Sequence, residues 1–281
     1  MALAHHVWIA YISRTVSEVG MIKPKTGSER AKYAASRHAA KMVKNGMKVG
    51  LGTGSTAAWL VRCLAERVKN EQLSFVGVPT SEETAQLASE LGLNLSTLDE
   101  VGHLDLTIDG TDEVNNAFEL IKGGGGALLR EKIVAKASAE MIVIADPSKN
   151  VEALGQFPLP VEVIPFGRGA TLAAIESLLE QCGYKDVQVV LRKRNEQVFV
   201  TDEGNNIFDL HLKMITNASD LTCELNLIPG VVENGLFVDM CRQTIIGHES
   251  GIVMIRRMAG GKVVTEQTDE ITNLFSDIGE L

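Results

Sequence analysis

Four short apolar runs, at residues 47–51, 74–78, 104–108 and 141–145, alternate with stretches whose Ala, Leu, Val and Met residues recur at helical spacing. The runs read as strands, and the stretches at 28–44, 57–68, 82–91 and 128–139 as helices. Strands alternating with helices demand parallel pairing with crossover connections. The expected class is therefore α/β, a doubly wound, mostly parallel, Rossmann-like sheet.

The pattern changes near Phe157-Pro158-Leu159-Pro160, where prolines precede the run Val161-Glu162-Val163-Ile164-Pro165. A helix at 171–181 and β-rich stretches at 187–191, 197–201 and 207–212 come next. A further helix, a Pro229-Gly230 turn and another short strand complete a second, smaller α+β domain. A strand at 252–256 returns to the first domain. At about 150 residues per domain, 281 residues allow two. The expected division is 21–159 plus 245–281 for the Rossmann-like catalytic domain and 160–244 for the smaller one. Residues 1–20 read as an extension outside the fold, with Met21 as an alternative start. Their apolar run at 7–12 lacks the basic region of a signal peptide.

Composition narrows the class of function. Hydrophobic residues make up 45% and charged residues 22%, which excludes a disordered chain. With 27 basic and 36 acidic residues, the net charge of −9 argues against nucleic acid as a partner, although a locally positive pocket for a small anion remains open. No uncharged run exceeds 13 residues, too short to span a bilayer, so no membrane partner is expected and the setting is read as cytoplasmic. Cys63, Cys182, Cys223 and Cys241 show no zinc spacing; they read as reduced, mostly buried thiols, and no metal is expected.

Chemistry concentrates where apolar runs end. Gly52-Thr53-Gly54-Ser55-Thr56 joins the first strand to a helix, so glycine-permitted close approach, free helix amides and three hydroxyls can hold a phosphate. A dinucleotide fingerprint fits poorly, because Ser55 stands at its third glycine, and a Walker lysine is absent. A tight turn with an ordinary cap is the plain alternative. Asp109-Gly110-Thr111-Asp112-Glu113 follows the third run, at a strand's carboxyl end, where acids can meet sugar hydroxyls or exchange protons; a solvated Asx turn is the alternative.

Lys122-Gly123-Gly124-Gly125-Gly126 then leads into Ala127-Leu128-Leu129-Arg130-Glu131-Lys132. Consecutive glycines carry a large entropy cost, so the run points to close backbone approach to a ligand or a mobile loop. Glu131 falls in the first helical turn, where the macrodipole favours the ionised form that a general base requires, although acids are common there without catalysis. Lys149 lies just past the fourth strand, placed to meet a phosphate or a substrate oxygen. Arg192-Lys193-Arg194 reads as a solvated hairpin tip, and His103, His211 and His248 have no metal-like spacing.

In this order and at these separations, the motifs resemble the ribose-5-phosphate isomerase family of the A type, over about residues 28–257. The markers are Gly52-Thr53-Gly54-Ser55-Thr56-Ala57, Asp109-Gly110-Thr111-Asp112-Glu113, Lys122-Gly123-Gly124-Gly125, Arg130-Glu131-Lys132-Ile133-Val134-Ala135 and the proline-rich segment at 157–165. The resemblance implies Glu131 as catalytic base, with Asp109, Lys122 and Asp112 beside it. It implies substrate contacts from Thr53, Gly54, Ser55, Thr56, Asp109, Gly110, Thr111, Asp112, Lys122, Gly123, Gly124 and Gly125, with Lys149 and the first-helix Lys32 as further cations. Thr111, Gly126 and Leu129 depart from common family residues without removing a functional group.

The reaction so implied interconverts D-ribose 5-phosphate and D-ribulose 5-phosphate through an enediolate, in the non-oxidative pentose phosphate pathway. It needs no metal and no cofactor. The resemblance further implies a homodimer or a dimer of dimers. Two rivals stand beside it. A sugar-phosphate-sensing module would need no Glu131; among related enzymes, an amino-sugar-phosphate deaminase would call for a histidine near the acids and a coenzyme A transferase for a different glutamate context.

Overall fold

A computed structural model describes residues 23–268; the expected extension at 1–20 lies outside the described residues. Thr26 caps α1 (Gly27–Ala40) in a reciprocal box with Glu29, and the helix buries an alanine stripe. Strand β1 (Lys48–Leu51) then feeds α2 (Ser55–Glu71), and β2 (Val76–Pro79) feeds α3 (Glu82–Glu90) and the short α4 (Leu98–Val101). After β3 (Leu106–Asp109) come the two-residue strands β4 (Glu113–Val114) and β5 (Leu120–Ile121), then α5 (Leu128–Lys136) and β6 (Met141–Ala145).

The second half contains β7 (Leu159–Val163), α6 (Arg168–Gln181), β8 (Gln188–Leu191), the hairpin β9 (Lys193–Arg194) and β10 (Gln197–Val198), and β11 (Asn206–His211). It continues through α7 (Ala218–Asn226), β12 (Val231–Asn234), β13 (Leu236–Phe237), β14 (Cys241–Gly247), β15 (Val253–Ala259) and β16 (Lys262–Thr268).

Seven strands form the large sheet in the order β16-β15-β14-β6-β3-β1-β2. The five from β14 to β2 pair in parallel, while β15 and β16 add an antiparallel hairpin at one edge. The sheet is thus the mostly parallel α/β type expected. Val49, Leu51, Ile108, Ile142 and Ile144 pack against Ala34 and Ala35 of α1 and Leu60 and Leu64 of α2. Burying each large side chain contributes about 1.5–3 kcal/mol. Antiparallel strands β12-β7-β11-β8 form a second sheet that shares a separate core with α6 and α7. A three-stranded ribbon, β13-β5-β4, lies between the two.

Two features escape the periodicity. Strand β14 is a parallel neighbour of β6, yet it reads Cys-Arg-Gln-Thr-Ile-Ile-Gly, with Gln243 and Thr244 among its buried residues. Its polar half hides a strand that sits inside the large sheet, so the chain is already back in that sheet at Cys241. The cysteines also divide: Cys63 and Cys241 are buried, but Cys182, at the end of α6, and Cys223, on α7, are exposed. The expectation of mostly buried thiols therefore holds for half of them.

Candidate active site

Strand order reverses at β1, whose neighbours are β2 on one side and β3 on the other. In an open parallel sheet such a switch point opens a crevice at the carboxyl ends, because the following connections leave in opposite directions. Gly52 follows β1 and Asp109 ends β3, so two of the motifs meet there. They approach so closely that a Cβ at Gly52 would lie 2.1 Å from Asp109 Oδ1. Only glycine fits.

One end of the crevice is an anion seat. Gly54 is the N-cap of α2 and supplies no side-chain cap, so the first amides of a 17-residue helix are left for a ligand. Lys32 Nζ donates to Ser55 Oγ at 3.0 Å and brings a cation to the same turn. Ser36 Oγ donates to the Thr56 carbonyl at 3.0 Å, tying α1 to α2. The preceding turn is braced from behind. Thr53 Oγ1 lies 2.7 Å from Thr80 Oγ1 and 2.9 Å from Ser81 Oγ, while Thr84 Oγ1 donates to the Gly52 carbonyl at 3.0 Å. Sequence reasoning missed these three hydroxyls, although Thr80 and Ser81 directly follow β2 at another strand's carboxyl end.

The other end is buried and charged. Lys122 Nζ lies 2.7 Å from the Gly110 carbonyl, 3.0 Å from Asp109 Oδ2 and 3.2 Å from Glu131 Oε1. Exposure is 2% for Lys122, 0% for Asp109 and 4% for Glu131. Asp109 Oδ1 accepts from the amides of Thr53 at 3.1 Å and Gly110 at 2.7 Å. Glu131 Oε2, by contrast, is buried with no hydrogen-bond partner. Polar groups in that state are rare, since each forfeits its hydration without return.

Burial and the nearby Asp109 charge push the Glu131 carboxyl up to about 8, with Lys122 opposing. Asp109 is likewise raised by burial and opposed by Lys122, whereas the two carboxylates hold Lys122 firmly protonated. The first-turn position alone, through the helix dipole, favours an ionised Glu131. That field is worth about 0.3–1 kcal/mol, below one pKa unit, whereas full burial moves a carboxyl by up to about 3–5 units. Desolvation wins.

Between the two ends lies a cleft of about 130 Å³. Lys32, Thr53, Gly54, Ser55 and Thr56 form its anion side, and Gly110, Thr111, Asp112 and Lys122 its floor. The glycines at 123–125, with Glu131 and Lys149, complete the wall. Every catalytic or substrate-contact residue that the resemblance implies lines this cleft except Asp109, which is buried behind Lys122 and does not touch the opening. A larger open hollow of about 270 Å³, near Lys44, Arg67 and Leu73, contains none of the motif residues.

Asp112 Oδ2 accepts from the Gly124 amide at 2.7 Å. The Thr111 hydroxyl is held by the carbonyls of Glu113 at 2.6 Å and Ile121 at 3.0 Å, which accounts for a polar residue at that position. Lys149 projects from a single 3₁₀ turn, Pro147–Lys149, with its ammonium 6.0 Å from the Phe157 ring centre. Among the described residues, no three His, Cys, Asp or Glu side chains converge to hold a metal ion, and no helix is long and apolar enough to cross a membrane.

The family model for ribose 5-phosphate isomerase A (phosphoriboisomerase A) matches residues 76–251. This chain belongs to that family. The ribose-5-phosphate isomerase A of Roseobacter denitrificans is 53% identical over 254 residues, covering 90% of this chain and 97% of its own length. That of Ruegeria pomeroyi is 54% identical over the same coverage. Among solved structures, the ribose 5-phosphate isomerase A of Methanocaldococcus jannaschii superposes with a TM-score of 0.72 at 38% identity, over 84% of this chain and 98% of its own. A D-ribose-5-phosphate isomerase in complex with phospho-erythronic acid matches with a TM-score of 0.72 at 35% identity, covering 87% of this chain and 100% of its own. Ribose 5-phosphate isomerase A membership thus covers both sheets of the described fold.

Proposed function

We propose that this isomerase interconverts D-ribose 5-phosphate and D-ribulose 5-phosphate through an enediolate, with Glu131 as the general base. The observation that carries the reading is the state of the Glu131 carboxylate. Oε1 is tied to Lys122, while Oε2 has no partner on a residue lining the cleft. That leaves one oxygen to receive a proton. A base raised to about 8 is also closer to a weakly acidic C–H than an ordinary carboxylate, which favours transfer.

The substrate phosphate binds at Ser55, Thr56 and Lys32 on the uncapped end of α2, with Lys149 as a second cation. Binding energy from that remote group holds C1 and C2 over Glu131. Glu131 takes the C2 proton of the open-chain aldose and the C1 carbonyl oxygen becomes the enediolate oxyanion. The C2 hydroxyl proton then passes to O1, and the same carboxyl, its proton exchanging with solvent, protonates C1 as the C2 oxygen becomes the ketose carbonyl. Negative charge thereby leaves Glu131 and appears on the sugar. Lys122 has three N–H bonds and three partners in the resting site. As Glu131 becomes neutral, the Lys122 donor facing it is released toward the new oxyanion. Such preorganised charge is worth several kcal/mol in a dry site.

Asp109 is too deeply covered to serve the sugar directly, so we assign it to holding Lys122 and the Thr53 amide, and give Asp112, on the cleft wall, the hydroxyls opened with the furanose ring. The phospho-erythronic acid held by a similar isomerase fits this scheme, since its planar carboxylate is a chemical likeness of the planar enediolate. The scheme uses no metal and no cofactor. We further propose that the enzyme serves the non-oxidative pentose phosphate pathway in the cytoplasm as a homodimer or dimer of dimers; light-scattering mass checks the last point.

Incubation with ribose 5-phosphate in heavy water tests the central step. Ketose product carrying solvent deuterium at C1 is expected. Binding without turnover would transfer the protein to the sugar-phosphate sensors.

A further inference from the structure

The glycine loop beside Lys122 is gripped from outside the cleft by the residue that follows β8 of the second sheet. Arg192 Nη1 donates to the Gly123 carbonyl at 2.7 Å and to the Gly124 carbonyl at 3.2 Å. Its remaining fork binds both oxygens of Asp209, with Nε at 2.8 Å from Oδ2 and Nη2 on Oδ1. Asp209 sits on β11, whose register with β8 places it opposite Val190, two residues before Arg192. Only 13% of the Arg192 side chain is exposed, so the solvated hairpin tip expected from the sequence holds for Lys193 and Arg194 but not for Arg192.

A planar trans peptide points its C=O and N–H in opposite directions. Fixing the carbonyls of Gly123 and Gly124 on Arg192 therefore turns the amides of Gly124 and Gly125 away from it. The Gly124 amide is caught by Asp112 at 2.7 Å. The Gly125 amide makes no protein hydrogen bond among the described contacts, and Gly125 lines the cleft. Phe199 closes the same loop from behind, its ring only 2.4 Å from where a Cβ on Gly126 would stand, and Arg192 lies 5.9 Å from that ring. Four glycines have no side-chain packing of their own to select one peptide orientation; Arg192 and Phe199 supply it.

The geometry points to Arg192, held by Asp209, as a positioning residue that fixes two peptide planes so that the Gly125 amide faces the oxyanion of the reaction. It touches no substrate and acts through the loop. The inference rests on the isomerase reading above and deepens it. Lysine cannot replace it, since a single ammonium does not span two carbonyls and a bidentate carboxylate.

The test compares Arg192→Ala, Arg192→Lys and Asp209→Asn with the wild type. Misplacing a preorganised donor by about 1 Å costs roughly 10²-fold, so Arg192→Ala should lose about that factor in kcat, with KM for ribose 5-phosphate and affinity for inorganic phosphate changed less than about threefold. Affinity for phospho-erythronic acid should weaken by about tenfold or more. Arg192→Lys should not restore kcat, and Asp209→Asn should fall between it and the wild type. Guanidinium at millimolar concentration should partly rescue Arg192→Ala. Amide exchange provides a readout independent of turnover: the Gly124 amide, bonded to Asp112 at 2.7 Å, should be protected in wild type and should lose protection in each variant.

A folded variant with wild-type kcat and a protected Gly124 overturns the proposal, as does phosphate affinity lost in parallel with kcat, which would mean general collapse. If Arg192→Ala does not fold, Asp209→Asn and Arg192→Lys decide by the same criteria. Should the wild type fail to isomerise ribose 5-phosphate, the activity reading falls, and the exchange experiment still decides whether Arg192 orders the loop.

Discussion

The two ends of the cleft solve opposite electrostatic problems. At the α2 end, Ser55 is exposed, Lys32 is half-buried and the attraction comes from fixed amide dipoles and one nearby ammonium. At the Glu131 end, two carboxylates and one ammonium are packed almost without water, and both acids are pushed upward. A wet site binds a permanent anion at little cost in stability. A dry site keeps a carboxylate under-stabilised, which favours its protonation. On the proposed reading, binding and proton transfer are served by separate elements, so they should fail separately.

The largest effect belongs to the dry end. Glu131→Gln should lower kcat by two or more orders of magnitude, as expected for removal of a general base, while KM for ribose 5-phosphate changes only slightly. Steady-state kinetics and calorimetric titration read the two halves. The same substitution should have an inverse effect on stability. Glu131 binds its proton more tightly folded than unfolded, so between its ordinary value near 4.5 and about 8 the wild type loses stability as pH rises. Glutamine removes that loss. The melting-temperature advantage of the variant should therefore be larger at pH 9 than at pH 5; an advantage that shrinks with pH would contradict the buried-base picture.

Asp109→Asn should produce the next largest effect. Its charge helps hold the Glu131 carboxyl up, so removing it should move the acid limb of the kcat/KM profile to lower pH. Turnover at the plateau should fall as well, because Lys122 loses a partner at 3.0 Å. An unmoved limb would remove Asp109 from the electrostatics of the base.

How far the sequence foretold this contrast depends on the range of the interactions. The anion seat was legible because a strand, Gly52–Thr56 and a helix are contiguous, and local chemistry defines a helix end. Glu131 and Lys122 were legible as residues, because their glycine loop is anomalous on entropy grounds alone. Their protonation was not, since it depends on burial created by β3, the β5 connection and α5 together. Asp109 looked like a mouth residue at a strand's end, yet one residue of geometry placed it beneath Lys122. Thr80 and Arg192 reach the site through pairings 27 and 69 residues distant, which no local pattern encodes. Strand β14 stayed hidden because burial in a parallel sheet tolerates Gln243 and Thr244 once the ladder satisfies their backbone.

The smallest effects belong to the wet end. Lys32→Ala removes one cation from the anion seat; a hydrogen bond to a charged group contributes about 1.5–3 kcal/mol, so KM for ribose 5-phosphate should rise by roughly ten- to hundredfold at low salt with kcat within about threefold. Solvent access makes this contribution screenable, and the Debye length shrinks from about 10 Å at 0.1 M salt to about 3 Å at 1 M. The KM ratio of variant to wild type should therefore narrow as salt is added, whereas the kcat deficit of Glu131→Gln should not respond, its field being enclosed. A kcat loss for Lys32→Ala as large as its KM effect would mean that the ammonium helps aim C1 and C2, and the two ends would then be one coupled machine instead of two separable ones.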